Sequence, residues 1–281
     1  MNLILQSTQA IDLPILQQVA KAACATGVEQ PSEFAYRFTG VDKYQKPAVD
    51  EICAQLPIDY VFAPAMSLDE FGLVAMDMDS TLITIECIDE IADMNGLKEQ
   101  VSAITERSMA GELDFSSSLR ERVALLAGLD ESVLATIYEE RLQLQPGARE
   151  MLAAVHEQGI KTLLISGGFT YFTRRLQAEL GLTWTIANEL EIIDGKLTGN
   201  VLGDIIDANA KAHHLMRLAD DLGLNKEQTI AFGDGANDKA MFEAAGFSVA
   251  FRGKKVLKAV ASAAFDHVGL DGILNIFPAS K

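Results

Sequence analysis

A chain of 281 residues, 49% apolar and 22% charged, holds enough material for one substantial α/β domain and a smaller one. Its formal net charge of −17, with no basic stripe to offset it, argues against nucleic acid as a partner. No apolar run reaches the roughly 18 residues of a membrane span, and MNLILQSTQAIDLP lacks the basic start and long apolar stretch of a secretory signal, so a cytoplasmic location is expected.

Residues 1–70 read as a small α/β unit. NLILQST is a strand, and DLPILQQVAKAACATG is a helix that should end near Gly27. EFAYRFTG and DYVFAPA are further strands, on either side of a helix across VDEICAQL. From residue 71 strands and helices alternate. FGLVAMD, KTLLISGG and QTIAFGDG are buried strands, and WTIANEL and FSVAF are shorter ones. PGAREMLAAVHEQG, YFTRRLQAELG and ANDKAMFEAAG are helical. The alternation predicts an open parallel Rossmann-like sheet with helices on both faces. Such sheets bind ligands beyond the carboxyl ends of their strands, where Asp77, Ser166 and Asp234 fall.

Two segments interrupt the alternation. Residues 85–145 read as wholly helical and are too long for a connection, so they are expected to form an inserted cap. ELEIIDGKLTGNVL reads as a β-hairpin turning at Asp194-Gly195. The expected organisation is a small domain over 1–70, a core over 71–84 and 146–281, and a helical cap over 85–145.

Two motifs carry most of the chemistry. In AMDMDST an apolar strand ends in Asp77 and Asp79, followed by Ser80 and Thr81. In FGDGANDKAM, Asp234 sits in a glycine-rich turn before Asn237 and Asp238. Either alone could be a capped turn. Together they put carboxylates on one edge of one sheet, a hard-oxygen site suited to Mg²⁺. Cys24, Cys53 and Cys87 fit no metal pattern or disulfide framework, and His156, His213, His214 and His267 are scattered. ISGGF adds a hydroxyl and open N–H groups between a strand and a helix, either an anion cradle or a plain turn. In so acidic a chain a phosphate site also needs a local cation. Lys161, Lys196, Lys211 and Lys226 are candidates, and the pattern does not choose between them.

In DFSSSLRERVALL, Phe115, Leu119 and Leu126 share one helical face at about 100° per residue. Arg122 falls in the middle of that face, while Arg120 and Glu121 point away. An arginine so placed either snorkels or pairs with an anion. A non-catalytic phospho-acceptor would also use acidic groups beside a parallel sheet. The large cap and the second carboxylate, Asp79, favour an enzyme.

In order and context these motifs resemble the haloacid-dehalogenase-like phosphatases, from about residue 71 to the C-terminus. ECIDEIA, GELDFSSSLRERVALL, SGGFT, ANELEIIDGKLTG and GDGANDKAM are similar to the phosphoserine phosphatase family within that superfamily. One departure is Met78, where phenylalanine is common. The resemblance implies Mg²⁺-dependent hydrolysis of O-phospho-L-serine to L-serine and phosphate, the last step of serine biosynthesis, through an aspartyl-phosphate. It implies that Asp77 is the nucleophile and Asp79 the acid and then the base. It places Mg²⁺ on Asp77, the Asp79 backbone carbonyl and Asp234, with Asp238 in support. It gives the phosphoryl oxygens to Ser166, Gly167 and Lys211, and the positioning of phosphate or water to Asn237. Glu86 and Arg122 would hold the substrate's ammonium and carboxylate, and Met109 and Phe115 would close over it. The expected partner is a small phosphomonoester, phosphoserine or another amine-bearing ester, and a homodimer is left open. Residues 1–70 are either a structural extension or a module resembling the small regulatory domains of amino-acid enzymes.

Overall fold

The computed structural model describes residues 1–279, apart from the side chain of Met109. The chain opens with β1 (Asn2–Gln6), α1 (Leu13–Ala22), β2 (Gly27–Ser32), β3 (Ala35–Thr39), α2 (Lys46–Cys53) and β4 (Asp59–Ala63). The four strands form an antiparallel sheet in the order β2-β3-β1-β4. Helix α1 ends before the expected Gly27. The Ala25 N–H closes it on the Ala20 carbonyl at 2.9 Å, and Cys24 takes the left-handed turn (φ 54°) that glycine usually supplies. Gly27 instead starts β2, a strand that no sequence pattern marked. Helix α2 begins earlier than VDEICAQL, because Pro47 suits a first helical turn.

Strand alternation gives this sheet two apolar faces. Leu3, Leu5 and Phe38 pack under the helices with Val19, Val49 and Cys53. Ile4, Val61 and Ala63 face the other way, into the main core with Phe71, Ile273, Ile276 and Phe277. Polar contacts reinforce this join. Buried Asp59 accepts the backbone N–H groups of Asp266, His267 and Val268 at 2.9–3.0 Å. Arg37 donates to the Asn275 carbonyl at 2.7 Å.

The larger sheet begins with β5 (Leu73–Met76). Then come α3 (Cys87–Met94), α4 (Lys98–Met109), α5 (Phe115–Ala124), α6 (Ser132–Glu140), α7 (Ala148–Glu157), β6 (Lys161–Phe169), α8 (Thr170–Leu180), β7 (Trp184–Ile193) and β8 (Lys196–Leu202). The chain continues through α9 (Ala208–Asp221), β9 (Thr229–Gly233), α10 (Lys239–Ala244), β10 (Phe247–Phe251), α11 (Lys255–Lys258), β11 (Ala263–Phe265) and α12 (Gly272–Ile276). Seven strands align as β11-β10-β9-β5-β6-β7-β8, parallel except for β7 with β8. Leu73 and Ala75 face a core shared with Leu215, Leu218 and Phe242, while Val74 and Met76 face the larger core on the other side. The order runs one way from β5 through β6 and β7, and the other way through β9 and β10. The switch point therefore lies between β5 and β9.

The interruptions have the expected character. Helices α3–α6 form the cap, and the chain enters and leaves it through an antiparallel bridge between Ile83 and Leu144. WTIANEL and the first arm of the hairpin are one continuous strand, β7. Asp194 and Gly195 make its turn at φ 51° and 74°. The hairpin rests on the cap, with the Leu197 N–H bonded to the Leu129 carbonyl at 2.9 Å. Helix α9 and strand β11 carried no signal in the sequence reading.

Candidate active site

Strand β5 delivers Asp77 (4% exposed) to the switch point. One carboxylate oxygen accepts the Met78 N–H at 2.7 Å, and the other meets Lys211 Nζ at 2.6 Å and Asn237 Nδ2 at 3.3 Å. Lys211 projects from the first turn of α9, whose start is fixed by Asp207 accepting the Ala210 N–H at 2.8 Å. Its ammonium also reaches Asp238 Oδ1 at 2.8 Å. Burial works against the charge on Lys211, but the Asp238 and Asp77 carboxylates outweigh it and hold the proton firmly. The structure thus singles out Lys211 from the four candidate lysines as the one beside Asp77.

Asp79 lies on the next turn. Its Oδ1 accepts the Cys87 N–H at 3.0 Å, and its Oδ2 stands 3.5 Å from Ser166 Oγ, the long limit of a hydrogen bond. Burial, then the charges of Glu86 and Asp77, push its pKa up to about 8. Ser80 follows in the left-handed region at φ 57°, a conformation that costs a residue with a Cβ about 1–2 kcal/mol. The reversal brings Glu86 back to the same cavity, where Ser80 Oγ donates to Glu86 Oε1 at 2.7 Å. Glu86 sits at the rim, and burial of its inner side raises its pKa, followed by a lowering from the Ser80 bond.

Ser166, Gly167 and Gly168 form the end of β6, and α8 begins only at Thr170, so the cradle is a strand end rather than a helix start. A side chain at either glycine would crowd its neighbours. A Cβ on Gly167 would stand 2.7 Å from the Phe115 ring, and one on Gly168 would stand 2.6 Å from Asp79 Oδ2. The Gly168 N–H is bonded to Ser166 Oγ at 2.8 Å.

Asp77, Asp234 and Asp238 bring carboxylate oxygens within 4.8 Å of one another. Asp238 is already occupied, since its Oδ2 also accepts the Asp234 and Gly235 N–H groups at 3.1 Å each. The half-buried Asp234 carboxylate has no hydrogen-bond donor among the described residues. Burial, then Asp77 and Asp238, push its pKa up to about 7. A crowded carboxylate without a donor, beside a second one, suits a hard cation, so this donor set fits Mg²⁺.

The cap closes the other side. A cavity of about 250 Å³ is lined by Asp77, Asp79, Ser166 and Asp234 from the core and by Glu86, Phe115 and Arg122 from the cap. Arg122 is half-buried. Its Nε reaches the Ser118 carbonyl at a long 3.4 Å, and no carboxylate pairs with it among the described residues. Burial lowers its pKa, while Asp89, Glu86 and Asp79 pull the other way. Arg120 and Glu121 do point away, and Glu121 binds Arg107 at 2.9 Å. Leu126 is buried beyond the end of α5. Met109 lies outside the described side chains.

Sequence reasoning missed several residues here. Lys254 lines the cavity from the turn after β10. Gln145, just after the Ile83–Leu144 bridge where the chain leaves the cap, donates to the Ser80 and Ile83 carbonyls at 3.2 and 3.3 Å and accepts from Arg252 at 2.9 Å. Asn188 is buried within β7. A polar amide inside an apolar strand was the one available signal, because asparagine is depleted in strands.

This fold, with paired carboxylates at the switch point and a cap above them, defines a class of hydrolase. Residues 74–243 match the haloacid dehalogenase-like hydrolase family. The phosphoserine phosphatase of Albidiferax ferrireducens is 48% identical over 221 residues, covering 77% of this chain and 93% of that one. A solved haloacid-dehalogenase-family hydrolase from Salmonella enterica serovar Typhi superposes with a TM-score of 0.89 at 30% identity, covering 100% of this chain and 99% of that one. A probable phosphoserine phosphatase from Vibrio cholerae, solved without ligand, gives 0.84 at 36% identity, covering 98% and 85%. The chain belongs to the haloacid dehalogenase-like hydrolase family. Within it, the chain is an enzyme of the phosphoserine phosphatase branch.

Proposed function

We propose that this enzyme hydrolyses O-phospho-L-serine to L-serine and phosphate through an aspartyl-phosphate on Asp77, with Mg²⁺ as cofactor, as the final step of serine biosynthesis. The observation that carries the substrate is Arg122. Arg122 lines the cavity with no carboxylate partner among the described residues, and Glu86, Asp77 and Asp79 line the same cavity. A fork and a carboxylate on the cap suit the carboxylate and ammonium of one amino acid. The phosphoester is then left over Asp77.

The Asp77 carboxylate attacks phosphorus, and the ester oxygen leaves with the Asp79 proton. A pKa raised to about 8 keeps that proton in place near neutral pH. Water then attacks the aspartyl-phosphate and gives its proton to Asp79, and phosphate departs with the Asp77 carboxylate restored. Lys211, Ser166 and the Gly167 backbone hold the phosphoryl oxygens, where charge is spread in the transition state. Asn237 orients the Asp77 carboxylate it touches. Asp77, Asp234 and the Asp79 backbone carbonyl would hold Mg²⁺, which when bound offsets the repulsion between two anions. Phe115, over Gly167, screens the site from bulk water when the cap is closed.

A panel of small phosphomonoesters, assayed for phosphate release with and without Mg²⁺ beside Asp77→Asn, tests this reading. It expects a strong, Mg²⁺-dependent preference for phosphoserine that Asp77→Asn abolishes. Equal rates on sugar phosphates or nucleotides would remove the substrate assignment and leave the class standing.

A further inference from the structure

We infer that Asn188 is a positioning residue that sets the phosphate cradle against the helix carrying Lys211. It lies in β7, is 1% exposed, and does not line the cavity. Its side-chain amide joins two segments from opposite ends. Nδ2 donates to the Gly167 carbonyl at 2.8 Å, and Oδ1 accepts the Ile206 N–H at 2.8 Å.

Each bond reaches the site in one step. The Gly167 carbonyl belongs to the same planar peptide as the Gly168 N–H, so fixing one orients the other. That N–H holds Ser166 Oγ at 2.8 Å, and Ser166 stands beside Asp79. On the other side, Ile206 immediately precedes Asp207. Asp207 caps α9, and its carbonyl accepts the Lys211 N–H at 3.0 Å. One amide therefore sets the distance between two groups that must grip the same phosphoryl oxygens. No other residue type of this size offers a donor and an acceptor in one rigid plane. An apolar replacement would leave the Gly167 carbonyl and the Ile206 N–H without these partners.

The inference rests on the phosphate-binding roles proposed above for Ser166, Gly167 and Lys211. Its test is inhibition by inorganic phosphate, with kcat/KM measured on phosphoserine and on p-nitrophenyl phosphate, in the Mg²⁺-loaded full chain. For Asn188→Ala we expect the phosphate Ki to rise about ten-fold or more. Because the cradle serves every ester, kcat/KM should fall by the same factor on both substrates. Asn188→Asp keeps the acceptor for Ile206 but loses the donor to Gly167. Its deficit relative to the parent should shrink as pH falls and the carboxyl regains a proton to donate. Circular dichroism at the assay temperature normalises each rate to folded protein, and Asn188→Asp carries the test if Asn188→Ala does not fold. A phosphate Ki within about two-fold of the parent in a folded variant would overturn the inference. So would a loss confined to phosphoserine, which would place the effect in the cap. If the parent itself hydrolyses neither ester, it is the proposed function that fails.

Discussion

The ammonium of Lys211 lies 2.6 Å from the Asp77 carboxylate, and both side chains are at most 5% exposed. Asp238 completes the cluster at 2.8 Å from the same nitrogen. Two buried carboxylates thus share one buried cation. Lys211→Met should leave both without compensation and lower stability by about 3–5 kcal/mol at neutral pH. Urea denaturation checks this, and phosphate release should fall at least about 100-fold. Lys211→Arg should not rescue either, because a planar fork does not fit a site built for a compact ammonium.

The carboxylates at the switch point also tie stability to pH. Folding raises Asp234 to about 7 and Asp79 to about 8. In the unfolded chain both lose their protons near pH 4. The stability they contribute is fully present below that pH and is lost progressively as pH rises from about 4 to about 7 or 8. The melting temperature of the metal-free protein should therefore decline over this window. Mg²⁺ competes with the proton for the Asp234 carboxylate, so it should raise the melting temperature more at pH 8 than at pH 5. A Mg²⁺ effect equal at the two values would contradict the assigned ligands.

Arg122 offers a test of substrate reading separate from chemistry. Losing a charge-assisted bidentate contact is worth about 1.5–3 kcal/mol. Arg122→Ala should thus cut kcat/KM for phosphoserine by about 10- to 100-fold and leave p-nitrophenyl phosphate nearly unchanged. Arg122→Lys should recover little. An equal loss on both esters would assign Arg122 to packing of the cap.

Residues 1–70 are joined to the core through Ile4, Val61 and Ala63, and through Asp59 at the N–H groups of 266–268. Removing them would uncover Ile273, Ile276 and Phe277 and leave those N–H groups without their acceptor. The truncated chain should melt lower by on the order of 10 °C or aggregate on expression. A truncation that keeps the parent's melting temperature would show that this join adds little to stability.

Much of the site was legible because its chemistry is local. Asp77 and Asp79 end a strand whose apolar run announces it, and Asp234 stands in a glycine-rich turn after another. Parallel strand–helix alternation brings such ends to one edge whatever the details of packing. Arg122 was legible as an anomaly in an apolar stripe, because a helix repeats on a known period. The limits of α1 were misjudged because Cys24, not a glycine, made the left-handed turn. The length of β7 was missed because its residues pair on one side with β6 and on the other with β8.

By itself, then, the sequence determined the class of fold, the edge where chemistry occurs and the carboxylates that stand there, since strand period and turn chemistry act over a few residues. Tertiary structure alone decided which lysine meets Asp77, that Arg122 lines the cavity with no carboxylate partner among the described residues, and that Asn188 and Gln145 tie distant segments together. Those relationships depend on where α9, the cap and β7 come to rest against one another. Contacts between remote segments follow from packing and burial, which no local pattern encodes.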